Sequence, residues 1–245
     1  IYTGEDTLSL HDALPIFTGV KQFISGAGAS DLYVVMARTG GPGPKGISTF
    51  LVEKDCAGLS FGAQERKMGW HAQPTAQVIL DGVRVPAANV LGQVDQGFYH
   101  LMHNLPSERL SIAVTATAIA RSVYEETLQY CKDRKAFGKP IGSFQANRFT
   151  LAEMSTELDV AQAYIDRCLQ AVVDGELTAV DASKNKWWCT ELAKKVIDQC
   201  LQLHGGYGFM NEYAVGRAYC DSRIQTIFGG TTEIMKDLIG RDMGL

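Results

Sequence analysis

The residues best placed to do chemistry lie in five short segments. Leu105-Pro106-Ser107-Glu108-Arg109-Leu110 sets a carboxylate beside a guanidinium, and the continuation to Ala120 is mostly apolar. A glutamate normally sits in water. On a helix buried on several sides it requires a reason, and burial lifts a carboxylate toward the working range of a general base. Arg134-Lys135-Ala136-Phe137-Gly138-Lys139 supplies a fork that can hold two phosphate oxygens at once. The same arginine would serve as a basic helix end answering the macrodipole. Gln202-Leu203-His204-Gly205-Gly206 lets backbone N–H groups come close to a phosphate, or closes a helix as a C-cap turn; both can hold. Phe228-Gly229-Gly230-Thr231-Thr232-Glu233 opens a final helix. Phe23-Ile24-Ser25 by itself reads as a strand with an apolar inward residue. A lone histidine in a turn is usually structural, so His204 receives no proton-transfer role, and Trp187 and Trp188 read as packing.

Two kinds of element must position these segments. From Phe17 to Val85 the pattern is strands and turns: Tyr33-Val-Val-Met-Ala and Thr49-Phe-Leu-Val-Glu are buried strands, and Gln77-Val-Ile-Leu-Asp alternates as a half-exposed one. Gly40-Gly-Pro-Gly-Pro and Asp81-Gly82 are turn chemistry. After Pro86 the period becomes helical. One long helix runs from Gly97 to Arg134, with a kink allowed at Pro106. A second carries the stripe Leu151, Met154, Leu158, Ala161, Ile165, Cys168 and Val172. Thr178-x-x-Asp181 caps a third, with Leu192, Val196, Cys200 and Leu203 inward. Short helices follow near Val215–Asp221 and from Thr231-Thr232. The fold class is therefore α+β: part of an antiparallel β domain (17–93), then an all-α four-helix-bundle domain (97–245). Gly26-x-Gly28 lacks a third glycine and a βαβ context, so no dinucleotide fingerprint is assigned.

Composition excludes several classes. A net charge of −4 gives no basic surface for nucleic acid, and no apolar run reaches the length of a membrane span. The six cysteines have no C-x-x-C spacing, four of them fall on apolar helix faces, and neither a metal site nor a disulfide framework is expected. Residues 1–16 (IYTGEDTLSLHDALPI) do not continue the pattern that follows and resemble translated sequencing-adapter read-through. The native sequence is expected to start near Phe17, inside a domain, so targeting is not readable.

In their order, Phe23-Ile-Ser, Arg134-Lys-Ala-Phe-Gly-Lys, Gln202-Leu-His-Gly-Gly-Tyr-Gly and Phe228-Gly-Gly-Thr-Thr-Glu resemble the acyl-CoA dehydrogenase family from Phe17 to the C-terminus. The resemblance implies an N-terminal helical domain, a middle β domain and a C-terminal bundle, with FAD between the last two and a homodimer or homotetramer as the assembly. It places Phe23, Ile24 and Ser25 against the flavin and Arg134 on the FAD pyrophosphate of a neighbouring subunit. Phe137, Gln145, Gln202, Leu203, His204, Gly205, Gly206, Thr231, Thr232 and Glu233 follow as further cofactor contacts. The partners it implies are an acyl-CoA substrate and an electron-transfer flavoprotein, in the cytoplasm of a prokaryote or the mitochondrial matrix of a eukaryote.

One departure matters. Most of the family carries a catalytic glutamate before the Gly-Thr pair, and here that position is Gly229. Leu105-Pro106-Ser107-Glu108-Arg109 resembles the long-chain and isovaleryl-CoA branches, where the base precedes an arginine on the first bundle helix. Glu108 is thus the expected base. Gly229 and Gly230 are expected at the thioester carbonyl, where a backbone N–H stabilises enolate charge. Tyr99, Pro106, Ser107 and Arg109 are expected along the acyl-CoA path, although Tyr99 fits a core role equally. The β-hydride would pass to flavin N5. The truncated chain by itself is expected to be inactive. An acyl-CoA oxidase, and a non-catalytic bundle module that kept the fold, are the competing readings. The stretch from Ser25 to Ser48 looks more like isobutyryl-CoA dehydrogenases, so acyl chain length stays open.

Overall fold

The computed structural model describes residues 15–245. The adapter-like stretch lies outside them except for its end, where Ile16 already pairs with Arg84 in a strand. The chain forms two compact units that divide between His103 and Asn104, inside the first long helix rather than before it.

In the first unit, β1 (Ile16–Ser25), β5 (Thr75–Arg84) and β4 (Leu59–Phe61) form an antiparallel sheet in the order β1-β5-β4. β2 (Leu32–Arg38) and β3 (Ile47–Glu53) form a second antiparallel pair, joined across the predicted glycine-proline turn. Both sheets turn Phe17, Tyr33, Val35, Phe50, Val52, Val78, Leu80 and Val83 into one core, with Phe17 and Phe50 edge to face at 4.6 Å. The alternation expected in β5 is present: Val78 and Leu80 are buried and Asp81 is exposed. Asp81-Gly82, expected to end the strand as a turn, instead lies within it. The pairing slips there between Phe17 and Gly19, and Gly82 absorbs the extra residue at φ 60°. A bulge and a turn ask glycine for the same left-handed backbone, which is why sequence alone confuses them.

The long helix α1 (Gly97–Asp133) passes through Pro106 unbroken. Its start requires glycine: a Cβ on Gly97 would lie 2.7 Å from the Ser48 carbonyl carbon. A two-residue ribbon, β6 (Lys135–Ala136) with β7 (Lys139–Pro140), leads to α2 (Gln145–Val173). α3 (Ala179–His204), α4 (Ala214–Ser222) and α5 (Thr232–Asp242) complete the second unit. The α2 stripe is buried as expected from Leu151 to Cys168, but Val172 is 42% exposed because the helix runs past its neighbours. On α1 the inward residues include three alanines (Ala113, Ala116, Ala120), which let neighbouring helices come close. Cys131, Cys168, Cys189 and Cys200 are buried as free thiols. Trp188, assigned to packing, is 45% exposed.

Thr178 accepts a hydrogen bond from the Asp181 N–H at 3.0 Å, the cap read from sequence. Removing it with Thr178→Ala is expected to lower stability by about 0.5–2 kcal/mol, measured by urea unfolding.

Candidate active site

The glycine turn before α5 lies against α1. Arg109 is buried and donates through Nε to the Gly229 carbonyl at 3.3 Å and through Nη1 to Ser183 Oγ at 3.5 Å. A Cβ on Gly229 would come within 2.5 Å of Ile112 Cδ1. The turn therefore covers positions 109 and 112 of the helix. Glu108 is the residue before Arg109 and lies one helical turn ahead of Ile112, on the same face. Its charge acts on the Arg109 guanidinium, which burial pushes below its usual value and Glu108 pulls back up. The structure thus brings Arg109, Gly229 and Gly230 together, with Glu108 the residue next to Arg109 on the helix.

Burial of Glu108 is not observed. The helix from Leu110 to Ala120 is covered along one stripe only; Ser111, Thr115 and Ala118 are exposed, and Glu108 shares their open side. Small apolar residues such as alanine occupy both faces of a helix, so their density overstated how enclosed it is. Pro106 is half-buried, Ser107 is exposed, and Tyr99 is 44% exposed with its ring against Phe98, which removes its alternative core role.

Sequence reasoning missed Lys186. It is fully buried on α3, and its ammonium donates to the Gly230 carbonyl at 2.6 Å. Burial and the nearby Arg109 guanidinium push it down to about 8, against the opposite pull of Glu191 and Glu233. A signal was available. The inward stripe of α3 read from Leu192 continues backward through Cys189, Lys186 and Ala182, so a lysine occupies a core position.

The second predicted cluster also assembles. Arg134, Gln202, Leu203, His204, Gly205 and Gly206 share a cleft of about 470 Å³ with Tyr130 and Tyr207. The Arg134 guanidinium lies 5.4 Å from the Tyr207 ring centre. His204 is buried, stacked on Tyr130 at 4.2 Å, and its Nδ1 meets the Cys200 carbonyl at 2.8 Å, a structural commitment. Gly205 has φ 58° and open space beyond it, consistent with both the C-cap and the ligand-facing reading. Thr231 caps α5 by accepting from the Ile234 N–H, the hydroxyl of Thr232 donates to Glu191, and Glu233 sits exposed in the first turn. Gln145 is the exposed first residue of α2.

In the β unit, Phe23-Ile24-Ser25 ends β1 as the strand expected, with Ile24 as the inward apolar residue packed against the core, while Phe23 faces outward. It sits at an irregularity of β1, at φ 56° and 69% exposed. Phe137 repeats this in the ribbon between β6 and β7, at φ 52° and 95% exposed. A left-handed, solvent-facing aromatic is costly on two counts.

The C-terminal domain of acyl-CoA dehydrogenases matches residues 95–244, and the middle domain of the same enzymes matches residues 10–83. The chain belongs to the acyl-CoA dehydrogenase family. The rat long-chain specific acyl-CoA dehydrogenase, mitochondrial, is 44% identical over 231 residues, 93% of this chain and 54% of that protein. Bovine isobutyryl-CoA dehydrogenase, mitochondrial, is 40% identical over 249 residues, 98% of this chain and 60% of that protein. Among solved structures, an acyl-CoA dehydrogenase from Geobacillus kaustophilus superposes with TM-score 0.93 at 40% identity, over 96% of this chain and 62% of that one. The chain thus spans between about half and three-fifths of the length of these relatives. No helix among the described residues is long and apolar enough to cross a membrane, and no group of metal-ligating side chains assembles there.

Proposed function

We propose that the complete protein is an FAD-dependent acyl-CoA dehydrogenase in which Glu108 removes the α-proton of an acyl-CoA thioester. The observation that supports this reading is the seat of the Gly229-Gly230 turn on Arg109 and Ile112, the residues one and four positions after Glu108 on the same helix.

The residues fit the cofactor. A guanidinium and a glycine-opened backbone line one cleft, a donor set suited to a pyrophosphate, and Phe23 presents an exposed aromatic face of the kind a flavin ring stacks on. Arg134, Gln202, Leu203, His204, Gly205 and Gly206 would hold FAD from the bundle, helped by Phe137, Gln145, Thr231, Thr232 and Glu233; Phe23, Ile24 and Ser25 would do so from the β unit. When bound, FAD accepts the hydride from the β-carbon.

The chain's own residues do the rest. Backbone N–H groups of the glycine turn stabilise negative charge on the thioester oxygen as it develops. Glu108 accepts the α-proton, and because its side chain is open, the bound acyl chain and cofactor must supply the desolvation that makes it basic enough. Tyr99, Pro106, Ser107 and Arg109 are proposed to border the acyl-CoA path. The electrons would leave through an electron-transfer flavoprotein, and the assembly would be a homodimer or homotetramer. Long-chain and isobutyryl relatives align about equally well, so a long or α-branched acyl group is the proposed substrate class.

Acyl-CoA added anaerobically to the purified complete enzyme is expected to bleach its yellow colour. Admission of air should then release little peroxide. Persistent colour would overturn the dehydrogenase reading, and stoichiometric peroxide would replace it with an oxidase.

A further inference from the structure

A fully buried ammonium is costly to keep, and the Lys186 ammonium is spent on a main-chain carbonyl of the glycine turn. Arg109, also buried, is spent on the preceding carbonyl. Two cations, from α3 and α1, thus hold two consecutive carbonyl groups. Gly229 and Gly230 have φ 65° and 103°, a pair of left-handed conformations that lets both carbonyls be drawn inward together.

In a trans peptide the C=O and the following N–H point in opposite directions. Drawing the Gly229 and Gly230 carbonyls toward the cations therefore turns the N–H groups of Gly230 and Thr231 the other way. Among the described residues, the Gly230 and Thr231 N–H groups meet no backbone acceptor. The turn is satisfied on its carbonyl side and open on its N–H side. A developing oxyanion needs donors fixed in advance in this way.

We propose that Lys186 is a positioning residue: by holding the Gly230 carbonyl, it fixes together with Arg109 the glycine turn whose N–H edge receives the thioester oxygen. This rests on the proposed dehydrogenase reading and deepens it. Lys186 touches neither substrate nor cofactor. It acts through the turn, and its charge matters because a neutral side chain of similar length would leave the Gly230 carbonyl free to swing. The charged groups around it are Arg109 on α1, Glu191 on α3 and Glu233 on α5.

The test uses the complete flavoenzyme and an acyl-CoA labelled with ¹³C at the thioester carbonyl. Infrared spectroscopy of the bound substrate reads carbonyl polarisation, which a purely structural lysine would not alter. Lys186→Met is expected to keep FAD and substrate affinity while the bound carbonyl stretch moves back toward its free value. Exchange of the α-protons with solvent should slow roughly tenfold or more, because a small displacement of fixed donors is felt strongly at the transition state. Lys186→Arg should recover part of both effects.

An unchanged carbonyl stretch in Lys186→Met overturns the inference. Should that variant fail to fold, the wild-type enzyme suffices: the carbonyl shift should weaken as pH rises through about 8 and the ammonium loses its proton. A shift constant across that pH overturns the inference equally. Failure of the underlying reading looks different. Glu108→Gln should stop α-proton exchange yet leave the carbonyl shift intact, so normal exchange there would remove the base and not Lys186.

Discussion

Glu108→Gln in the complete enzyme retains FAD and loses solvent exchange at the substrate's α-carbon, with turnover falling roughly 10²–10⁴-fold. The amide keeps the shape of the carboxylate but cannot take up the proton. Proton NMR of acyl-CoA incubated with enzyme in D₂O reads the result directly, and exchange at the wild-type rate would strike Glu108 from the mechanism. The neighbouring carboxylates are poor substitutes. Burial works to raise Glu191, but hydrogen bonds from Lys194 and Thr232 outweigh it and hold the group below its ordinary value. Glu233 is lowered by its own backbone N–H and by the Thr231 hydroxyl. A lowered carboxyl pKa makes a weaker base.

Returning the carboxylate to its commoner place should not rescue this variant fully. At Gly229 a side chain meets Ile112 Cδ1 within 2.5 Å, on a backbone already at φ 65°. Glu108→Gln with Gly229→Glu is therefore expected to recover less exchange than the same pair combined with Ile112→Val, which removes the obstructing methyl. Equal recovery would mean that Ile112 yields without cost.

Arg134→Ala is expected to weaken FAD binding roughly 10–100-fold in a titration of the apoprotein followed by flavin fluorescence, the loss of a hydrogen bond to a charged group. The alternative role makes a different forecast. As a helix-end cation alone, Arg134 would contribute only about 0.3–1 kcal/mol to stability and nothing to FAD affinity. Its guanidinium is exposed and lies within 5.4 Å of the Tyr207 ring centre, in the cleft formed with Gly205 and Gly206, which favours the ligand role. Arg134→Lys separates the two further, because an ammonium keeps the charge and loses the fork.

How much of this was legible beforehand depended on whether the signal was local. The Thr178 cap was legible: its hydroxyl accepts from an N–H three residues on, a contact contained within four residues of sequence. The α2 stripe was legible from Leu151 to Cys168 because periodicity reports a face. It failed at Val172, where nothing in the sequence says that the covering helix has ended. Asp81-Gly82 failed because a bulge is defined by the partner strand.

The site divides along the same line. Residue order alone determined that a carboxylate and an arginine stand together on the first long helix, that position 229 carries no side chain, and that a guanidinium and a glycine pair close two helices. Only the tertiary structure decided which faces these residues took. It left Glu108 open, turned Phe23 and Phe137 outward in left-handed backbone, and buried Lys186 against a carbonyl 44 residues away. Burial is a property of what packs over a residue, and those neighbours come from distant parts of the chain. A sequence therefore names a charged group long before it shows whether water or a carbonyl oxygen will surround it.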